Sequence, residues 1–165
     1  MKKYLLPFLL AVLIVFTSCE RISPKEKRQA DISSFFSSVS ASFTASFKGL
    51  EAEGSFEYTP SFLSLEFTKP ETLSSLKMTA DKNGVTASFK DFSVTKRFSS
   101  VTEKAAVNSV FSAMNEARLY GVLNKADGET SVSGEGYEIK LDEKNRVKYI
   151  LIPEQEISIT LNYGE

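Results

Sequence analysis

The stretch VSASFTASFKGLEAEGSFEYT, residues 39–59, decides the fold. Phe43, Ala45 and Phe47 alternate with Ser42, Thr44, Ser46 and Lys48, and Ala52, Gly54, Phe56 and Tyr58 alternate with Glu51, Glu53, Ser55 and Glu57. A repeat of two sends successive side chains to opposite faces of a sheet, so each segment has one apolar face and one polar face. One covered side and one wet side is the pattern of an antiparallel sheet. Gly49 joins the two segments, and Pro60 ends the second.

The same alternation continues outward. Residues 62–69 present Leu63, Leu65 and Phe67 on one face and stop at Pro70. Alternation resumes over 76–80, and Asp81-Lys82-Asn83-Gly84 predicts a hairpin in which Asn-Gly supplies positive φ. Val85, Ala87 and Phe89 lead out of it, and 92–98 reads as a further strand. Toward the carboxyl end, strands are expected over 118–124, 129–133, 136–141, 146–152 and 157–163, with Pro153 breaking the chain before the last. The total is ten or eleven short strands.

Helical spacing occurs twice. Ser23 can cap a helix, Pro24 fits its first position and Glu26 completes a capping box. Ile32, Phe35, Phe36 and Val39 then fall on one stripe, so the spacing predicts a helix over 24–38. Ser100 and Glu103 form a second capping box ahead of Ala106, Val107, Val110, Phe111 and Met114, which predicts a helix over 101–117. The fold class is therefore mainly β with two helices (α+β), arranged as a sandwich, a barrel or an incompletely closed barrel.

The amino terminus reads as a targeting segment. Lys2 and Lys3 precede a nearly unbroken apolar run from Leu5 to Phe16, and Thr17-Ser18-Cys19 closes it. A positive start, a dozen apolar residues and small residues before a cut site describe a secretory signal. The run falls short of the ~20 residues that span a bilayer as a helix. The expected division is a lipoprotein signal peptide over 1–18, a tether over 19–23 and one domain over 24–165. Cys19 is the only cysteine and stands where the small residues end the run; with Thr17 and Ser18 before it, this resembles the bacterial lipobox, and the resemblance implies acylation of Cys19, with a fatty acyl group such as palmitate. Two or more acyl chains, at ~0.8 kcal/mol per buried methylene, hold a protein on a membrane stably.

Composition excludes several classes. Histidine is absent, which removes Ser-His-Asp and Cys-His nucleophile systems and His-ligated zinc. Glu51, Glu53 and Glu57 share a strand face, but charges opposite an apolar face read as a solvated surface rather than a catalytic pair. No basic cluster alternates with stacking aromatics, and the net charge is −1, which argues against nucleic acid as a partner. The sequence therefore reads as non-catalytic, with no cofactor and no metal. With one cysteine there is no internal disulfide, so thirteen phenylalanines, whose rings need no hydrogen-bond partner, must carry the core.

Leu65-Glu66-Phe67-Thr68-Lys69-Pro70 followed by Leu76-Lys77-Met78-Thr79-Ala80-Asp81-Lys82-Asn83-Gly84-Val85 resembles the LolA/LolB type of lipoprotein carrier and receptor. Gly54-Ser55-Phe56-Glu57-Tyr58 fits that family's preceding strand, and residues 157–163 resemble its last. The family's tryptophans have no counterpart, since Trp is absent. The resemblance implies a strongly curved antiparallel half-barrel with helices covering an apolar concave face that takes acyl chains. It also implies an exported protein attached by its lipid to the cell membrane or the outer membrane. The expected ligand-binding residues are Phe43, Phe47, Phe56, Tyr58, Leu65, Phe67, Met78 and Phe89 on the sheet, with Phe111 and Met114 on the helix that plugs it. The expected partners are the membrane, through acylated Cys19, and a lipid or acylated lipoprotein. The clostridial spore germination lipoprotein uses the same fold to bind a cortex-processing amidase. The alternative reading is therefore an adaptor whose sheet surface or edge docks an envelope protein.

Overall fold

The computed structural model describes residues 31–97, 105–126 and 128–164. Cys19, the targeting run and the capping box of Ser100 and Glu103 lie outside the described residues. Residues 31–35 are helical, and Ile32, Phe36 and Val39 of the expected stripe are buried. Residues 24–30 of that expected helix lie outside the description.

Among the described residues, eleven strands form one antiparallel sheet. They are β1 (Val39–Phe47), β2 (Leu50–Thr59), β3 (Phe62–Lys69), β4 (Leu76–Asp81), β5 (Gly84–Phe89), β6 (Phe92–Arg97), β7 (Val122–Ala126), β8 (Glu129–Gly134), β9 (Tyr137–Leu141), β10 (Val147–Ile152) and β11 (Ile157–Asn162). The order across the sheet is β6-β5-β4-β3-β2-β1-β11-β10-β9-β8-β7, so β6 and β7 are free edges and the sheet does not close. The one non-sequential neighbour, β1 beside β11, joins the first meander to the last strand.

Register converts the alternation into continuous apolar rows. Ala52, Ala45, Ile159, Ile150, Ile139, Val132 and Leu123 are successive cross-strand partners from β2 to β7. Directly paired residues share a face, so this row lies on one side of the sheet. Most of its members are buried. Gly54 is a glycine that packing requires. It sits between Phe43 of β1 and Phe67 of β3, whose rings meet edge-on at 5.6 Å. A Cβ there would fall 2.0 Å from the Glu66 carbonyl oxygen and 2.8 Å from the Phe43 ring. The β1–β2 turn is the two-residue type, with Lys48 at φ 52° and Gly49 at φ 81°.

A long α-helix, α1 (Ala106–Tyr120), lies on the apolar face and buries Val107, Val110, Phe111, Ala113, Met114 and Ala117. It touches β3 and β4 on one side and β8 and β10 on the other. Seven strand spacings separate β4 from β8, about 34 Å if the sheet were flat. The helix has 15 residues, which makes it only about 22 Å long and 10–12 Å thick. It reaches both sets of strands only because the sheet curls around it. The open, curved half-barrel with helical cover is thus the observed architecture.

Two local expectations are corrected. Residues 118–120, expected to open a strand, continue the helix, whose end is marked by the Gly121 N–H donating to the Ala117 carbonyl at 3.1 Å. The strand begins at Val122 instead. The helix expected to run to residue 38 stops at 35, where the Phe36 and Ser37 N–H groups donate to carbonyls three residues back, and Val39 opens β1 instead. The expected β4–β5 hairpin forms with Gly84 at φ 157°, and the Asp81 carboxylate holds its turn by accepting from the N–H groups of Asn83 (2.7 Å) and Gly84 (3.1 Å).

Candidate functional site

The residues expected to bind a ligand occupy one face of the sheet, but they do so in two different ways. Phe43, Phe56, Tyr58, Leu65, Phe67, Phe111 and Met114 are buried in the main core. Phe67 receives the edges of both Phe43 and Phe47, the second at 6.0 Å. Tyr58 meets Phe111 of α1 edge-on at 6.4 Å. Its hydroxyl donates to Asn115 Oδ1 at 3.2 Å, and Asn115 Nδ2 donates to the Phe111 carbonyl, which ties the sheet to the helix. Burial pushes the Tyr58 phenol up to about 12, a shift that neighbouring Arg118 only partly offsets. The sheet residues among these, with half-buried Phe47, form a floor onto which Phe111 and Met114 of α1 pack.

Met78 and Phe89 lie beyond that floor. Along the same face, Leu65 pairs with Met78, Met78 with Ala87, and Ala87 with Val94. In the next row Leu76 pairs with Phe89 and Phe89 with Phe92. α1 packs on β3 and β4, and the apolar rows run on past it through β5 to the free edge. There Phe92 is 79% exposed, Val94 60% and Phe89 37%. The Lys90 ammonium lies 5.4 Å from the centre of the Phe89 ring at the hairpin tip. On the other face the hairpin is polar. Thr86 and Thr95 hydroxyls are bonded at 2.9 Å, and Ser88 and Ser93 at 3.1 Å.

Sequence reasoning did not single out Phe92 and Val94, although they sit in the same alternation as the residues it chose. Alternation reports which face a side chain is on, not whether anything covers that face. A cavity of about 370 Å³ lies elsewhere, by the central strands where β1 begins and β11 ends, and none of the expected binding residues lines it. Among the described residues there is no cluster of three or more metal-ligating side chains, and no helix is long and apolar enough to cross a membrane.

No family model matches the sequence, and no curated protein matches it either. Solved structures with a similar architecture include a conserved protein from Thermus thermophilus (10% identity, 83% of this chain and 84% of that one, TM-score 0.48). A DUF1329 family protein from Desulfovibrio piger is similar over 84% of this chain and 91% of that one, at 11% identity and a TM-score of 0.41. A LolA superfamily protein from Nitrosomonas europaea is similar over 78% of this chain and 83% of that one, at 10% identity and a TM-score of 0.34.

Proposed function

We propose that this chain is a non-catalytic lipoprotein of the cell envelope, held to a membrane through acylated Cys19, that binds a lipid or the acyl chain of a lipid-modified protein on the inner face of its sheet. The observation that carries the reading is the continuation of the apolar inner rows past α1 to Phe89, Phe92 and Val94. Covering a phenylalanine or valine that now faces water is worth roughly 1.5–3 kcal/mol per side chain. A contiguous apolar patch on an otherwise polar hairpin is a place where something apolar docks. Met78 and Phe89 border this open part and would meet the ligand first. Phe43, Phe47, Phe56, Tyr58, Leu65 and Phe67 form the floor that holds it in shape, with Phe111 and Met114 of α1 packed onto them, and a ligand would reach these residues only if α1 moved.

The test uses non-acylated Cys19→Ser protein, with mass spectrometry of its organic extract and uptake of a fluorescent fatty acid. Co-purifying lipid and saturable uptake that Phe92→Ser weakens are the expected results. The absence of both lipid and uptake refutes the reading. The anchor is tested separately, by fractionation: Cys19→Ser moves the protein from membrane to soluble fractions, and unchanged membrane retention refutes the acylation.

One observation favours the adaptor reading as the second choice. All six residues of β6 are exposed and the strand lies at a free edge, which suits pairing with a strand of another envelope protein, a cell-wall amidase being one such partner. Affinity capture from membranes in mild detergent tests it, and failure to recover any partner reproducibly refutes it.

A further inference from the structure

The cavity of about 370 Å³ lies where β1 begins and β11 ends, between residues 34–39, the turn before β10, and Tyr163. Phe35, Val39, Val147 and Tyr163 form its apolar part, while Lys144, Asn145 and Arg146 bring two cations and an amide to it. The turn that carries those polar groups is built rigidly. Asp142 Oδ1 accepts from the N–H groups of Lys144 (2.9 Å) and Arg146 (2.8 Å), and Oδ2 accepts from Arg146 Nε at 2.7 Å. The Asp142 N–H donates to the Arg146 carbonyl at 2.8 Å, and the Asn145 N–H to the Asp142 carbonyl at 2.9 Å. The Arg146 guanidinium stacks 4.2 Å from the centre of the Tyr163 ring. Tyr163 is fixed in turn, its hydroxyl donating to the Val147 carbonyl at 2.6 Å. Asp142 answers the charge of Arg146 directly. Among the described residues, neither Glu143, the other acid of the turn, nor any other carboxylate lines the cavity.

We propose that this cavity binds a small anion carrying an apolar substituent, a carboxylate or phosphate on a short alkyl or aromatic group. The Lys144 ammonium and the Asn145 amide meet the anion, and Phe35, Val147 and Tyr163 receive the apolar part. A positive rim beside an apolar wall selects for a molecule with both features, because either feature alone leaves the other unanswered. The volume sits near the lower end of the ~300–1,000 Å³ range of ligand sites, which fits one short chain rather than a whole lipid. Preorganisation by Asp142 and Tyr163 reduces the ordering that binding requires. The site stands apart from the Phe89–Phe92 patch, at the other end of the strands and five strands away, so either reading survives the failure of the other.

The experiment follows the backbone amide resonances of the full chain during titration with hexyl phosphate, hexanoate, inorganic phosphate and hexanol. Hexyl phosphate and hexanoate are expected to shift residues 34–39 and 144–147 saturably. Inorganic phosphate and hexanol should bind at least tenfold more weakly. Lys144→Gln, an exposed position, should weaken hexyl phosphate binding about tenfold, while Lys148→Gln, outside the cavity, changes nothing. Dihexanoyl phosphatidylglycerol binding tighter than hexyl phosphate assigns the anion to a lipid headgroup, and the reverse order assigns it to a soluble metabolite. Hexanol or inorganic phosphate matching hexyl phosphate overturns the proposal. So does unchanged affinity in Lys144→Gln, or a set of shifts confined to β5 and β6.

Discussion

Phe43 and Phe92 offer the same deletion at two points of one sheet face. Phe43 is 2% exposed and sits in the middle of the core, edge-on to Phe67. Truncating it to alanine removes a buried ring and leaves a cavity, at a cost of about 3–5 kcal/mol. For a chain of this size each kcal/mol shifts the melting temperature by roughly 2–4 °C, so Phe43→Ala should lower Tm by roughly 6–20 °C. Phe92 lies on the same face but beyond α1, and it is 79% exposed. Its truncation should stay within about 0.5 kcal/mol of the parent, a change of about 2 °C or less. Affinity for a fluorescent fatty acid should respond in the opposite sense at position 92. If the ligand covers that ring, its loss removes roughly 1.5–3 kcal/mol of burial, a weakening of roughly tenfold to a hundredfold. Thermal unfolding by circular dichroism and equilibrium binding at a temperature well below both transitions read the two effects. A Phe92→Ala protein that melts as early as Phe43→Ala refutes the claim that the patch is uncovered. One that keeps both its Tm and its full affinity refutes the assignment of the patch to the ligand.

Three further outcomes follow from particular side chains. The Tyr137 hydroxyl is buried without a hydrogen-bond partner among the described residues, and an unsatisfied buried group costs about 1–3 kcal/mol. Tyr137→Phe should therefore raise Tm, whereas Tyr58→Phe, which breaks the bond to Asn115, should lower it. A lower Tm in Tyr137→Phe would show that the hydroxyl is satisfied. Burial of Asp142 opposes its ionisation, but the Arg146 and Lys144 N–H groups and the Arg146 guanidinium outweigh it and hold the carboxyl below its ordinary value. A depressed folded value stabilises above the unfolded pKa and ceases to do so as pH falls through the folded one. The stability gap between wild type and Asp142→Asn should thus be full above about pH 5 and close under more acid conditions, as chemical denaturation across pH will read. A gap that persists unchanged into acid removes the ionic account. Burial pushes Tyr58, Tyr137 and Tyr163 each up to about 12. Since unfolded phenols ionise near pH 10, stability should hold below that value and fall as pH rises from about 10 toward 12. Phenolate absorbance that appears in the folded protein at pH 10 for all tyrosines would contradict it.

Much of this fold was legible because so many strands are half-covered. Phe43 against Thr44, Phe56 against Glu57 and Ile159 against Thr160 each declare a buried and a wet side locally, without knowledge of the neighbours. Residues 118–120 were misread for the converse reason. Leu119 and Tyr120 are apolar yet exposed, and what keeps them helical is the backbone bonding that continues from α1 until Gly121. The cavity carried no local signal at all. Arg146 and Tyr163 stack although they lie on opposite sides of β10 and β11, and only the antiparallel return of the last strand brings them together.

What the alternation could not convey is the extent of the cover. The same period of two runs through β3, β4, β5 and β6, so the inner residues Leu65, Met78, Ala87 and Val94 look equivalent in sequence. They differ because α1, with 15 residues, covers only part of a sheet of eleven strands. The sheet curls far enough for α1 to pack on β4 on one side and β8 on the other, while toward the β6 edge the inner face opens to water beyond Val85, the last buried side chain on that side. Leu65 is consequently sealed, Met78 half-covered and Val94 left in water. A ligand with its own apolar surface would extend that cover across the last two strands without displacing any packed side chain. The open edge, rather than the interlocked rings of the floor, is therefore where binding costs the fold least.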